Sequence, residues 1–403
     1  VSSPPPAPRP RVALVRGPFL NAAEYQSFRP LSEEFEVRPV AASHAGQLGD
    51  EASPEVLRLP CLSARLLTAG PLGRVGAGVL RRAYGAGFFL TGLEEHLSSF
   101  DLVHTAETFH GFSVQPARLR RLLDTFRLVV THWENLPFAH EELPQARALK
   151  QLVRETADLF LATSQRSALA LRLEGVQPER VRVIYPGIDL ERFRPQPRDP
   201  SLLADWGLPP DASVVLFAGR LVREKGVHEL LDAFWLLRES CPAATLVYVG
   251  EGPERRGLLR RANDLGLAGA VFVRPAVPYS DMPAVHNLAD VFCLPSVPSP
   301  KWQEQFGMVV AESMACGKPV VSTLSGSIPE VVGDAGALVQ PGDPLSLAEA
   351  LQRLVDSPAL RQERGAAGRE RAAALFDANN TARQIAEAYR AVLRGSIHRE
   401  SPH

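Results

Sequence analysis

The chain has 403 residues, 45% of them hydrophobic and 22% charged, with a formal net charge of −1 at pH 7. That balance describes an ordinary globular protein long enough for two domains, without the global positive field that draws nucleic acid and without an apolar run long enough to span a bilayer. The four cysteines, Cys61, Cys241, Cys293 and Cys316, lie far apart and show no C-x-x-C spacing, so buried free thiols in a reducing cytosol are expected rather than disulfides or zinc.

Val1 to Pro10 is Pro-rich without an apolar centre and reads as a flexible tail, not a signal peptide. Arg11–Arg16 is the first predicted strand, followed by Asp101–His104, Leu128–Thr131, Leu159–Thr163 and Val181–Ile184. Helical stretches such as Gln145–Ala157 and Ser164–Glu174 lie between them, which implies a parallel, doubly wound sheet. The Pro-rich run from Tyr185 to Pro200 breaks the pattern. Strands are predicted again at Val214–Ala218, Thr245–Val249, Val271–Val273, Val291–Leu294 and Pro319–Val321, with a last helix near Thr381–Leu393. The expected organisation is a tail (1–10), a first domain (11–190), a linker (191–210), a second domain (211–375), a closing helix (376–393) and a tail (394–403). Residues 56–93 carry Arg58, Arg65, Arg74, Arg81 and Arg82 with no acid. That segment is either a helix with its arginines in water or one that touches an anionic membrane surface.

Gly219-Arg220-Leu221-Val222-Arg223-Glu224-Lys225-Gly226 directly follows a predicted strand. Ligands bind at such strand-to-helix turns of open parallel sheets, and two cations beside a new helix N-terminus suit a diphosphate. Further on, Glu304-Gln305-Phe306-Gly307-Met308 leads into a helix that holds Glu312 in its second turn and closes at Gly317-Lys318-Pro319. A carboxylate in front of a phosphate-attracting N-terminus suggests recognition of sugar hydroxyls. No D-x-D triplet and no zinc spacing occurs, so no metal ligand is assigned.

These two segments resemble the G-R-L-x-x-x-K-G and E-x7-E motifs of retaining glycosyltransferases of the GT-B group, in particular glycosyltransferase family 4. The resemblance covers roughly Arg11 to Leu393. It implies an α/β GT-B architecture: two Rossmann-like parallel-sheet domains facing a cleft, with the C-terminal helix crossing back to the first. It also implies a donor that is UDP-, GDP- or another nucleoside-diphosphate sugar, a hydroxyl acceptor (glycan, lipid or small molecule), and no further cofactor. Arg220 and Lys225 would neutralise the leaving diphosphate on the Gly219 turn, while Glu304 would position sugar hydroxyls. Phe306, Gly307 and Met308 would present backbone to the donor, and Glu312 would bind the ribose. Gly250-Glu251-Gly252-Pro253 resembles a turn beside the nucleotide, and Arg274–Val277 falls where the base sits. Ser325–Glu330 resembles a G-G-x-P-E loop with Ser327 in place of a glycine. His132, after a strand of the first domain, would face the transferred sugar, with His104, Glu107 and His110 as candidates for the acceptor side. After the first strand, Gly17-Pro18-Phe19 lacks the family's double glycine. The reading leaves the oligomeric state open, expects a cytoplasmic protein with peripheral membrane contact through 56–93, and keeps two alternatives: a GT-B epimerase or hydrolase, and a non-catalytic sugar-nucleotide binder.

Overall fold

The computed structural model describes residues 8–45, 55–62 and 87–395. The tails at 1–7 and 396–403, and Arg65, Arg74, Arg81 and Arg82 of the basic segment, lie outside the described residues. The chain divides into two compact units, one formed by 1–187 with 378–403 and the other by 188–377.

The first unit holds a seven-stranded sheet in the order β3-β2-β1-β6-β7-β8-β9. Its strands are β1 (Arg11–Gly17), β2 (Glu36–Ala42), β3 (Leu57–Leu59), β6 (Leu102–Ala106), β7 (Arg127–His132), β8 (Leu159–Ala162) and β9 (Val181–Val183); β4 (Cys61–Leu62) and β5 (Phe89–Leu90) form a small antiparallel pair. Every pairing in the large sheet is parallel. Central strands of such a sheet are covered on both faces, which is why Val12–Val15 and Leu128–Val130 are continuous apolar runs with no exposed atom. β2 is not marked in the sequence because Pro39 interrupts it. Only Val40–Ala42 also pair with β3, so Pro39 sits where the strand is an edge and its missing N–H costs no ladder bond.

The closing helix, Ala378–Leu393, belongs to the first unit. Its buried positions Ala382, Ile385, Tyr389 and Val392 recur at helical spacing and enter that unit's core. Tyr389 Oη lies 2.6 Å from His104 Nδ1, and its ring meets Phe35 edge-on at 5.4 Å.

The second unit holds a six-stranded parallel sheet in the order β12-β11-β10-β13-β14-β15. Its strands are β10 (Ser213–Ala218), β11 (Ala244–Val249), β12 (Val271–Arg274), β13 (Val291–Leu294), β14 (Val320–Thr323) and β15 (Ala337–Val339). Two Rossmann-like parallel-sheet domains with a returning helix are the architecture that the motifs imply. The stretch expected as a linker lies within the second unit, where Asp199 caps a short helix, Pro200–Asp205. Cys293 and Cys316 are buried thiols as expected, whereas Cys61 and Cys241 are only half-buried; all four are free.

Candidate active site

In each sheet the strand order reverses once, and ligands of open α/β sheets bind outside the carboxyl ends of the strands at that reversal. In the second unit the reversal falls between β10 and β13. The loop after β10 carries Arg220 and Lys225, and the loop after β13 carries Glu304. The structure brings Lys225 and Glu304 together: Lys225 Nζ donates to both carboxylate oxygens, at 2.9 and 2.7 Å. Ser296 Oγ donates to the same carboxylate at 2.7 Å, and the Lys225 ammonium lies 5.3 Å from the centre of the Trp302 ring. Arg220, on the same turn, is exposed.

Neighbouring turns are stitched to this loop through glycines. Gly219 N–H donates to Val249 O at 3.0 Å, Leu221 N–H to Glu251 O at 2.8 Å, and Gly250 N–H to Arg274 O at 3.1 Å. Gly250 has φ +145°, and a Cβ there would overlap the Gly219 carbonyl, so only glycine permits this approach. Arg274 contributes its carbonyl, while its guanidinium packs over Phe272 at 5.4 Å and donates to Trp206 O.

The helix Met308–Ala315 starts behind Gly307, which has φ +88°. Phe306 is buried edge-on against Phe376, with ring centres 5.5 Å apart, and Met308 opens the helix half-buried. Ser327 N–H donates to Glu304 O at 2.9 Å. The residue in that loop that must be glycine is Gly326, where a Cβ would strike the Glu304 carbonyl. Ser327 has an ordinary φ of −90°, so its side chain costs nothing. Glu312 is 2% exposed and both its oxygens have partners: Tyr279 Oη donates to Oε1 at 2.9 Å, and His286 Nε2 lies 3.2 Å from Oε2.

In the first unit the reversal falls between β1 and β6. His132 ends β7, is 1% exposed, and has Nδ1 2.9 Å from Glu107 Oε2. Burial pushes the Glu107 carboxyl up, but His132, His110 and the Trp133 N–H outweigh it and hold the group below the usual carboxylate range. His110 stacks on Phe19 and on Phe112, each with ring centres 4.9 Å apart. Aromatic rings thus stand where the family's double glycine is absent. His104 is a core residue rather than part of this surface, held between Thr131 Oγ1 at 2.7 Å and Tyr389.

Sequence reasoning missed Ser296, Trp302, Tyr279, His286 and Glu134. Trp302 stands two positions before Glu304 and Ser296 just beyond a strand end, which are faint signals. Tyr279 and His286 offer none, because their contact with Glu312 exists only in the folded chain.

Comparison with known proteins shows the family and the fold. Residues 200–371 match the family described as Glycosyl transferases group 1, and residues 33–192 match Glycosyltransferase Family 4. The D-inositol 3-phosphate glycosyltransferase of Thermobifida fusca is 32% identical over 350 residues, covering 81% of this chain and 78% of that protein. The one from Rhodococcus opacus is 32% identical over 375 residues, covering 89% and 81%. Among solved structures, Anabaena HepE in complex with UDP and glucose is similar with a TM-score of 0.75 at 22% identity, covering 95% of this chain and 100% of that one. Sucrose-phosphate synthase from Thermosynechococcus elongatus is similar with a TM-score of 0.72 at 23% identity, covering 96% and 100%. At those identities the two structures speak for the GT-B fold. The chain belongs to glycosyltransferase family 4. It is a glycosyltransferase with two Rossmann-like domains.

Proposed function

We propose that this enzyme is a retaining, metal-independent glycosyltransferase that moves a sugar from a nucleoside-diphosphate sugar to a hydroxyl acceptor. The observation that carries the reading is the Lys225–Glu304 pair at the strand reversal of the second unit, with Arg220 on the same turn. When the anomeric C–O bond breaks, the electron pair leaves with the diphosphate and positive charge grows on the sugar. Lys225 and Arg220 stabilise the leaving anion, and preorganised groups of this kind need no reorganisation at the moment of reaction. Glu304, beside Lys225, binds sugar hydroxyls, and Glu312 takes the ribose in place of Tyr279. Gly219, Gly250 and Glu251, the Arg274 backbone, and Phe306 to Met308 line the nucleotide. His132 faces the transferred sugar.

No protein nucleophile is assigned. The acceptor hydroxyl attacks the face that the diphosphate leaves, and a leaving phosphate oxygen accepts its proton. Family membership supports retention, and the cationic turn supplies the charge that a metal would otherwise provide. The setting we propose is the cytoplasm. No helix among the described residues is long and apolar enough to cross a membrane.

The test is a thermal-shift screen of nucleotide sugars, since binding raises stability by RT ln(1 + [L]/Kd), followed by product analysis with the best donor. The expected result is an acceptor-dependent product of unchanged anomeric configuration, formed equally well in EDTA. Rapid donor consumption without acceptor would instead indicate an epimerase or hydrolase. Activity lost on chelation and restored by Mg²⁺ or Mn²⁺ would overturn metal independence.

A further inference from the structure

We propose that the acceptor site beside His132 is built for an uncharged polyhydroxyl compound and disfavours a phosphate ester. The inference rests on the glycosyltransferase reading above and names its acceptor class. Four successive main-chain N–H groups follow β7, the kind of concave array that commonly cradles phosphate. Here the protein's own carboxylates fill it. Glu107 Oε1 accepts from the N–H of Trp133 at 2.9 Å and of Glu134 at 3.0 Å; Glu134 Oε1 accepts from Asn135 and Leu136, each at 2.9 Å. Both carboxylates are buried, at 6% and 8% exposure. A phosphate entering here would find its donors already used and two anions beside it.

A second observation points to what does fit. Glu107 Oε2 lies 2.9 Å from Nδ1 of His132, and a carboxylate on that side favours the ring proton at Nδ1 and leaves Nε2 to accept. Nε2 is buried and has no hydrogen-bond partner within the protein, and neither has Thr108 Oγ1, which is fully buried. An accepting nitrogen is satisfied by a hydroxyl, which donates, and not by a phosphate dianion, which only accepts.

The arrangement is fixed rather than adaptable. Glu107, Phe138 and His140 have φ of +63°, +61° and +63°, the only non-glycine residues in the left-handed region among the described residues. Such backbone persists only where the surroundings over-determine it. The Phe138 N–H donates to Glu174 Oε1 at 2.7 Å, and Lys150 Nζ donates to Ala139 O at 2.7 Å and to the same Glu174 oxygen at 2.9 Å. These buried groups clamp the loop that carries Glu134.

The test uses the full chain with its best donor and matched acceptors: myo-inositol against inositol 3-phosphate, and glucose against glucose 6-phosphate. The free polyol of each pair should show at least tenfold higher kcat/KM, and inorganic phosphate should not compete with it. In Glu107→Gln, whose amide can present an N–H to Nδ1 and so favours the proton at Nε2, kcat/KM for the free polyol should fall while the Kd of free nucleoside diphosphate, held by the second unit, is unchanged. The ratio of phosphate ester to free polyol should then rise, which loss of structure alone would not produce. Calorimetry with each pair reads acceptor binding without turnover. A phosphate ester bound or used at least as well as its free polyol overturns the proposal. Failure to bind any nucleotide sugar would sink the glycosyltransferase reading and leave that binding comparison intact.

Discussion

Lys225 and Glu304 are 79 residues apart in sequence and meet as a two-pronged ion pair, with Nζ donating to both carboxylate oxygens. The Lys225 side chain is 15% exposed and that of Glu304 7%, so each charge compensates the burial of the other. Removing one partner of such a pair strands the remaining charge. The two residues therefore act as a unit. Lys225→Ala and Glu304→Gln should each lower kcat/KM at least 100-fold, about 2.7 kcal/mol of barrier. The double variant should be little worse than the poorer single one. A double-mutant cycle on donor turnover checks this, and additive losses would separate the two roles.

Arg220 is a contrast, since it is exposed on the turn where Lys225 is partly covered. Arg220→Ala should change unfolding free energy by no more than about 0.5 kcal/mol, as surface substitutions do. Turnover should still fall by roughly 10²–10³, the cost of losing one preorganised charge contact. Urea unfolding beside steady-state kinetics at saturating donor measures both. Near-normal turnover would remove Arg220 from the mechanism.

Tyr279 Oη donates to the carboxylate oxygen of Glu312 that we assign to the ribose. Tyr279→Phe removes a hydroxyl that the nucleotide must displace, so free nucleoside diphosphate should bind the same or a few-fold more tightly. Glu312→Gln should weaken that ligand at least tenfold, whereas Glu304→Gln should affect the nucleotide sugar more than the free nucleotide. Calorimetry with both ligands is the measurement; equal losses for both ligands in both Glu variants would undo the division of labour.

His104 gives a pH signature. Burial, reinforced by Arg16, holds its pKa well below the usual 6.5, so the folded protein keeps the ring neutral. The unfolded chain binds a proton as pH falls through 6.5, while the folded chain does so only at its lower pKa. The stability contributed by this group is complete above the unfolded value and is lost progressively below it, by up to about 1.4 kcal/mol per pH unit. Urea midpoints from pH 8 to about pH 5 should show that decline. His104→Gln should flatten it, and an unchanged slope would assign the decline to other groups.

Much of the candidate site at the strand reversal of the second unit was legible in the sequence because its residues lie on short local segments. Arg220 and Lys225 sit on one turn after β10, and Glu304 stands three residues ahead of Gly307, whose positive φ starts the helix. Partners supplied by distant segments were not legible. Nothing near Glu312 announces Tyr279 or His286, and nothing in the Thr131-His132-Trp133 run announces that Glu107 caps it. β2 was hidden by a proline harmless only at an edge, and β15 by its brevity. The role of His104 depended on a helix 285 residues further on.

That helix has a consequence for how the protein is made. The first unit takes part of its core from Ala382, Ile385, Tyr389 and Val392, whereas the second is a single uninterrupted stretch, 188–377. On the ribosome, the second unit is complete before the first has received its last element. At roughly 5–20 residues per second, the first unit waits about 10–40 s with an apolar seam uncovered. The first unit is thus the last to finish folding, and through that interval its uncovered apolar surface is the surface open to aggregation.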